Sequence, residues 1–199
     1  VHPSKCWTST PEDHQNQTIV DAIKNSCNYY FYTVADRLGI EKLYKWASLL
    51  GLTSKTGIEL SGEVAGVVGN QSVLYDSSRG ITSQRSSKSN YVARTILKTL
   101  RNTGDALGRN FEEERLERTT QKLMDLVLEE YDSTEIIEQI RVVLMTELGL
   151  SSEEISSRYL LNTLNSYLRE IRWTPTETIM TGIGQSITEV TPVGVARYI

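Results

Sequence analysis

Long apolar runs are missing from this sequence of 199 residues. A helix that spans a bilayer needs about 20 consecutive apolar residues, and no segment approaches that length. The first residues also lack the basic-then-apolar order of a secretory signal peptide. Any export signal or membrane anchor of the protein is therefore expected to lie outside this chain.

An excess of positive charge is missing as well. The chain has 21 Lys and Arg against 25 Asp and Glu, which gives a net charge of -4 and a pI near 5.3. We identify no cluster of Lys or Arg in the sequence, so neither nucleic acid nor an anionic membrane is an expected partner. The hydrophobic fraction of 39% is ordinary for a chain that buries a core.

Helical periodicity dominates the first third of the chain. Apolar residues recur at helical spacing over 19–27, 30–38 and 43–50, with short connections that imply helices packed against one another. From Thr56 to Tyr75 the composition changes to Gly, Val, Ser and Asn. This stretch is predicted to be a loop with brief extended pieces.

A second helical region follows. The stretch from Arg79 to Asn90 is rich in Ser, Arg and Gly and is predicted to be an exposed connector. Further on, Ser151 and Glu154 form a capping-box pattern that marks a helix start. Four helices with amphipathic spacing are predicted, and they are expected to form a small bundle. They span Tyr91–Asn102, Phe111–Tyr131, Thr134–Leu148 and Ser152–Ile171.

Glycine, threonine and β-branched residues return after Trp173. Residues 179–186 are predicted to form a strand or a tight loop, and Thr191 with Pro192 is predicted to start a helix. Both chain ends are expected to be internal to a longer protein. The sequence opens without an initiator Met, and the last helix would stop within about two turns.

The domain organisation follows from these changes in composition. The helical bundle at 81–171 is interpreted as an insertion between two parts of another fold, 1–80 and 172–199. No internal repeat or low-complexity tract is evident in the sequence.

The tripeptide Ser26-Cys27-Asn28 lies between two predicted helices, the second of which begins with four aromatic residues. Alone it suits ordinary helix ends, where Ser and Asn are common. Four further segments follow it in a fixed order. They are Leu38-Gly39, the helix Ile40 to Leu50, Thr56-Gly57-Ile58-Glu59-Leu60-Ser61-Gly62-Glu63, and Ile183-Gly184-Gln185 with Thr191-Pro192. In this order the segments resemble class B penicillin-binding proteins, over about residues 6–75 and 173–199.

The resemblance implies an α+β fold, of which this chain would be the mostly helical part of a penicillin-binding-protein/β-lactamase-like transpeptidase with an inserted helical bundle. It implies a D,D-transpeptidase that cross-links peptidoglycan stem peptides ending in D-Ala-D-Ala and that β-lactams acylate. The parent protein is then expected at the extracytoplasmic face of the bacterial membrane.

Two catalytic roles come with the resemblance. The Ser26 hydroxyl would relay a proton towards the leaving amine, and the Asn28 amide would hold the substrate peptide backbone. A hydroxyl and a carboxamide suit these roles because each offers a donor and an acceptor. The acylated serine of a Ser-x-x-Lys motif is not found before Ser26. It is expected upstream of Val1, so this chain alone is expected to be inactive.

Lys55-Thr56-Gly57 has the letters of the family's third motif, a Lys-Thr-Gly strand. It follows Ser26-Cys27-Asn28 too closely and continues directly into the Thr-Gly-Ile segment. We therefore interpret it as part of a loop and expect the third motif beyond Ile199. Ser186 stands where the family usually has a second glycine.

Cysteine is scarce, with two residues in the chain. Cys6, His14 and Cys27 resemble the pattern of clostridial-type relatives that hold zinc beside the active site. Two thiolates and an imidazole are good Zn²⁺ ligands, although a tetrahedral site needs a fourth. A Cys6–Cys27 disulfide and two buried thiols with a structural histidine are the alternatives.

Two other functions remain open on the sequence. The helical insertion could be an interaction module that docks cell-wall synthesis proteins, against the simpler interpretation that its apolar stripes fill its own core. The chain could also belong to a β-lactam sensor or β-lactamase, which share the Ser-x-Asn pattern. The Thr-Gly-Ile and Ile-Gly-Gln segments favour the biosynthetic enzyme.

Overall fold

The computed structural model describes residues 14–59, 61–155 and 158–198. The chain forms two compact units. We call Val1–Asn70 with Trp173–Ile199 the terminal unit, and Gln71–Arg172 the central unit. The predicted limits at 80 and 171 remain a prediction of domain organisation. No helix among the described residues is both long and apolar enough to cross a membrane.

Helices make up most of the described structure. In the terminal unit they are α1 Ile19–Lys24, α2 Asn28–Leu38, α3 Ile40–Leu49, α9 Pro175–Thr181 and α10 Pro192–Tyr198. In the central unit they are α4 Gln71–Leu74, α5 Ser87–Ala106, α6 Glu113–Asp125 with a 3₁₀ turn at Leu126–Leu128, α7 Glu135–Leu148 and α8 Arg158–Glu170.

The two chain segments of the terminal unit meet at α2 and α9. Gly182, at the end of α9, lies so close to α2 that an added Cβ would be 2.4 Å from the Cβ of Ala35. A second contact is an antiparallel bridge between Val67 and Glu189, whose N–H groups donate to each other's carbonyls at 2.6 and 2.7 Å. These contacts join the two ends of the chain into one unit.

The central unit is a bundle in which α5 packs on α6 and α8, and α7 packs on α6 and α8. Each helix buries one apolar stripe, as amphipathic spacing predicts. In α7 the stripe consists of Ile136, Ile140, Leu144 and Leu148, each at most 5% exposed. The helix ends at Gly149, whose φ of +63° places it in the left-handed region.

The predicted exposed connector from Arg79 to Asn90 is exposed only in part, because Ile81, Gln84 and Ser89 within it are buried. Gln84 is 6% exposed, and its side-chain amide accepts the Asp76 N–H at 2.8 Å and donates to the Asp76 carbonyl at 2.9 Å. Asn90 also brackets the Gln84 backbone with two hydrogen bonds. A buried polar side chain that satisfies loop backbone groups in this way orders this part of the connector.

The predicted strand or tight loop over 179–186 is also wrong at its start, because Ile179 to Thr181 belong to α9. Thr174 caps this helix by accepting the Glu177 N–H, and Pro175 takes the first turn. The Ser151 capping box forms, with the Ser151 N–H donating to Glu154 at 2.7 Å. It opens a turn, and the described α8 begins later, at Arg158.

Candidate active site

The site begins with α1, a helix of six residues that the sequence marks clearly at its start. The Thr18 hydroxyl accepts the Asp21 N–H, and the Asp21 carboxylate accepts the Thr18 N–H, which completes a capping box. Of the α1 side chains, Ala22 is the buried one. The helix ends at Lys24, and its C-cap residue Asn25 directly precedes the tripeptide.

Ser26 ends α1 in the left-handed region, with φ +50°. Its N–H donates to the Ile23 carbonyl at 3.2 Å, and the next N–H, from Cys27, donates to the Ala22 carbonyl at 2.9 Å. This pair of bonds is a Schellman motif, in which glycine usually occupies the position of Ser26. A serine in this conformation costs conformational energy, of order 1 kcal/mol.

Cys27 anchors the turn. It is 2% exposed and is the N-cap of α2, while its neighbours Ser26 and Asn28 are exposed. Burial of the middle residue thus holds the two polar residues on the outside of the protein. The tripeptide can separate two helices and also carry the catalytic roles, because one turn both connects the helices and exposes the two polar residues.

A second motif, the loop that begins at Lys55, is held closed by Glu63. Its carboxylate accepts the Thr56 N–H at 2.6 Å, the Thr56 hydroxyl at 2.5 Å and the Gly57 N–H at 3.2 Å. Lys55-Thr56-Gly57 is not a strand in the described structure but the start of this closed loop. The interpretation of these three residues as a loop is confirmed. The Thr-Gly pair at the start of the loop donates hydrogen bonds to Glu63 at its end, which gives the Gly-Glu pair a structural role.

The hydrogen bonds from the Thr56 hydroxyl and N–H lower the pKa of Glu63 below its ordinary value. Because the folded pKa lies below the unfolded one, the ionised carboxylate stabilises the fold above pH about 4.3, and this stabilisation is lost as the pH falls through the folded pKa. We expect the urea midpoint of the terminal unit to fall on acidification from pH 6, with a smaller fall in Glu63→Gln. Tryptophan fluorescence measures it, because Trp46 and Trp173 lie in that unit.

Glu59→Gln is the matched control, since Glu59 is exposed in the same loop. It should keep the wild-type dependence on pH. An identical dependence in wild type and Glu63→Gln would contradict the role of Glu63.

Ser186 adopts the left-handed conformation that a glycine would favour, with φ +69°. Its hydroxyl donates a hydrogen bond to the Glu177 carboxylate at the start of α9. This bond shows how serine replaces the usual glycine at this turn. Glu177 carried no signal in the sequence analysis, because its partner lies nine residues away.

The structure describes two of the three predicted metal ligands. His14 is half-buried before α1, and Cys27 is buried at the start of α2, whereas Cys6 lies outside the described residues. Within residues 14–59, 61–155 and 158–198 no group of three or more His, Cys, Asp or Glu is assembled for a metal. The ligand set therefore stays a prediction.

Comparison with known proteins gives three results. Residues 2–153 match the family described as the penicillin binding protein transpeptidase domain. Stage V sporulation protein D of Bacillus subtilis (strain 168) is 41% identical over 64 residues, which cover 32% of this chain and 10% of that protein. The peptidoglycan D,D-transpeptidase MrdA of Acinetobacter baumannii is 33% identical over 69 residues, 35% of this chain and 10% of that protein. The matches thus span a tenth of each relative, and no solved structure matches.

Proposed function

Because the chain belongs to the penicillin-binding protein transpeptidase domain family, we propose that it is a segment of a D,D-transpeptidase that cross-links peptidoglycan stem peptides ending in D-Ala-D-Ala. The observation that carries this proposal is the turn at Ser26-Cys27-Asn28. In this turn Ser26 adopts the unfavourable left-handed conformation and Cys27 is buried. The Ser26 hydroxyl and the Asn28 carboxamide are therefore exposed, two residues apart.

In the proposed reaction a serine outside this chain attacks the carbonyl of the penultimate D-Ala, and the terminal D-Ala leaves as an amine. The leaving nitrogen must gain a proton, and Ser26 is the group in this chain that we assign to relay it. Asn28 donates from its amide N–H₂ and accepts at its carbonyl, which holds an extended peptide backbone in register. A β-lactam enters the same chemistry as an acylating substrate.

The proposal also assigns each of the two units to a part of the family's fold. The terminal unit would be the helical part of a penicillin-binding-protein/β-lactamase-like fold, and the central unit the helical insertion. The contacts between α2 and α9 and between Val67 and Glu189 support this, because they join segments that are separated in the sequence by the central unit. We place the complete enzyme at the extracytoplasmic face of the membrane, with its anchor outside this chain.

The isolated chain is expected to form no covalent adduct with a fluorescent penicillin, because the acylated serine lies elsewhere. Gel fluorescence after incubation tests this, with the complete enzyme as the positive sample and boiled enzyme as the negative one. A specific band on the isolated chain, removed by excess unlabelled penicillin, would overturn the assignment. Absence of labelling in the complete enzyme would remove the transpeptidase function itself and leave the interaction module as the alternative.

We also propose that Cys6, His14 and Cys27 hold Zn²⁺ beside the tripeptide, with a fourth ligand to be identified. The chemistry of the donors supports this, and Cys27 is buried at the N-cap of α2. Zinc there would fix the turn that presents Ser26 and Asn28. The alternative is a Cys6–Cys27 disulfide, which would fix the same turn.

Zinc analysis of protein purified without a metal-affinity tag separates the two. We expect about one zinc per chain, lost in Cys27→Ala, together with a lower melting temperature after treatment with a chelator. His2, the other histidine of the chain, offers a control, since His2→Ala should leave the zinc content unchanged. A chain without zinc and without free thiols would establish the disulfide and end the metal proposal.

A further inference from the structure

One face of α5 carries a row of four basic side chains and one tyrosine. Lys88, Tyr91, Arg94, Lys98 and Arg101 are separated by three, three, four and three residues, which places them along one side of a helix. All five are exposed, and Tyr91 in their midst is 68% exposed. We call this set the α5 basic stripe.

The stripe lies in the most unbalanced stretch of the sequence. Between Asp76 and Asp105 there are six Lys and Arg residues and no Asp or Glu, although the whole chain has a net charge of -4. A local concentration of one sign produces its own surface potential at distances below the Debye length of about 8 Å. The stripe is therefore positive on the scale of a molecular contact.

Carboxylates approach the two ends of the stripe but not its middle. Lys88 pairs with Glu170 at 3.3 Å, and Arg101 pairs with Glu113 at 2.7 Å. Both pairs are about half exposed, so a stronger anionic partner can replace them at little cost. Among the residues that the structure describes, Arg94 and Lys98 have no carboxylate within ion-pair distance.

The opposite face of α5 makes the stripe rigid. Val92, Ile96 and Leu100 are 2%, 0% and 0% exposed and pack into the bundle. At about 1.5 Å per residue, the stripe from Lys88 to Arg101 extends about 20 Å along α5. A flat anionic surface would face its middle, from Tyr91 to Lys98, most directly.

Tyr91 indicates what kind of surface this is. Tyrosine favours the boundary between lipid headgroups and hydrocarbon, because its ring is apolar and its hydroxyl is polar. Lys and Arg on either side of it match the phosphates of anionic lipids. A basic row around an exposed tyrosine fits a lipid surface better than a soluble acidic polymer, which offers the ring no apolar layer.

We propose that the α5 basic stripe docks the central unit on the surface of a bilayer rich in anionic lipid. Each Lys or Arg near such a surface contributes about a fivefold gain in binding, so the stripe alone gives weak, salt-sensitive association. For an enzyme that is anchored elsewhere, as the proposed function has it, weak contact suffices, because the anchor keeps the local lipid concentration high. Docking would then orient the central unit relative to the membrane.

Co-sedimentation of the whole chain with vesicles tests this proposal. We expect binding to vesicles of equal parts phosphatidylglycerol and phosphatidylcholine, little binding to phosphatidylcholine alone, and loss of binding at high salt. The double variant Arg94→Gln/Lys98→Gln should reduce the partition coefficient about 25-fold. Adding Tyr91→Ala to this double variant should reduce the coefficient further.

The control is Arg118→Gln/Lys122→Gln on α6, which removes the same charge at the same spacing from the same bundle and should bind nearly as wild type. Circular dichroism verifies that each variant is folded. Equal losses in both double variants, equal binding to neutral vesicles, or binding to polyglutamate without binding to vesicles would each overturn the proposal. Penicillin plays no part here, so failure of docking and failure of the transpeptidase assignment are distinguishable.

Discussion

Replacing Ser26 by glycine in the complete enzyme is expected to slow its acylation by a fluorescent penicillin about 100-fold, the lower end of what a positioned proton-transfer group contributes. Glycine accepts the φ of +50° at this position without strain. The substitution therefore removes the hydroxyl and leaves the turn and the burial of Cys27 in place. A time course of labelling at fixed penicillin concentration measures the effect.

Three further variants separate chemistry from conformation. Ser26→Ala should lose the same factor in rate while being less stable than Ser26→Gly, because its Cβ retains the strain. Asn28→Ala should lower the rate as well. Ser61→Ala removes an exposed hydroxyl from the same unit and should acylate as wild type. A Ser26→Gly enzyme that acylates at the wild-type rate would show that the hydroxyl has no role.

Replacing Leu144 by alanine is expected to lower the free energy of unfolding of the central unit by about 2–5 kcal/mol. Leu144 is 0% exposed in the middle of the α7 stripe, so truncation leaves a cavity that α6 and α8 cannot close without moving. For a unit of about 100 residues, this corresponds to a fall in melting temperature of at least about 10 °C. Far-UV circular dichroism follows this transition, because the long helices lie in the central unit.

Val142→Ala is the matched control, since Val142 is 48% exposed on the same helix. It should change stability by no more than about 0.5 kcal/mol. Tryptophan fluorescence adds an internal reference, because residues 71–172 contain no tryptophan. Equal effects of the two substitutions would contradict the placement of the α7 stripe in the core.

Sequence periodicity and capping patterns were good guides to α7 and to the start of α10. The helix predicted at Thr134–Leu148 is observed at Glu135–Leu148, and the helix after Thr191-Pro192 begins at Pro192 as predicted. In both cases the signal is local, since it consists of a stripe within one helix or of a cap within one turn. The candidate site was predicted from the order of its motifs rather than from periodicity.

Features that depend on partners farther along the chain were missed. Gln84 looked like part of an exposed connector, yet it is buried by loop carbonyls four to eight residues away. The role of Glu63 as the acceptor for Thr56 and Gly57 was equally hidden. The left-handed conformation of Ser26 follows from how α1 ends, which the sequence did not mark with a glycine.

The α5 basic stripe was missed for a different reason. Net charge averages over the chain, so a chain with a charge of -4 gave no reason to expect a basic surface. Its residues are also spread over fourteen positions, and they become neighbours only when the helix forms. The absence of Asp and Glu between Asp76 and Asp105 was the signal in the sequence that could have revealed it.

The central claim is that Ser26 and Asn28 assist a transpeptidase whose acylated serine lies elsewhere in the complete enzyme. Mapping the penicilloyl adduct by mass spectrometry of proteolytic peptides from the complete, labelled enzyme tests it most directly. We expect an adduct on a serine outside these 199 residues, with the peptide containing Ser26 unmodified. An adduct on Ser26, or on any other serine of this chain, would contradict it.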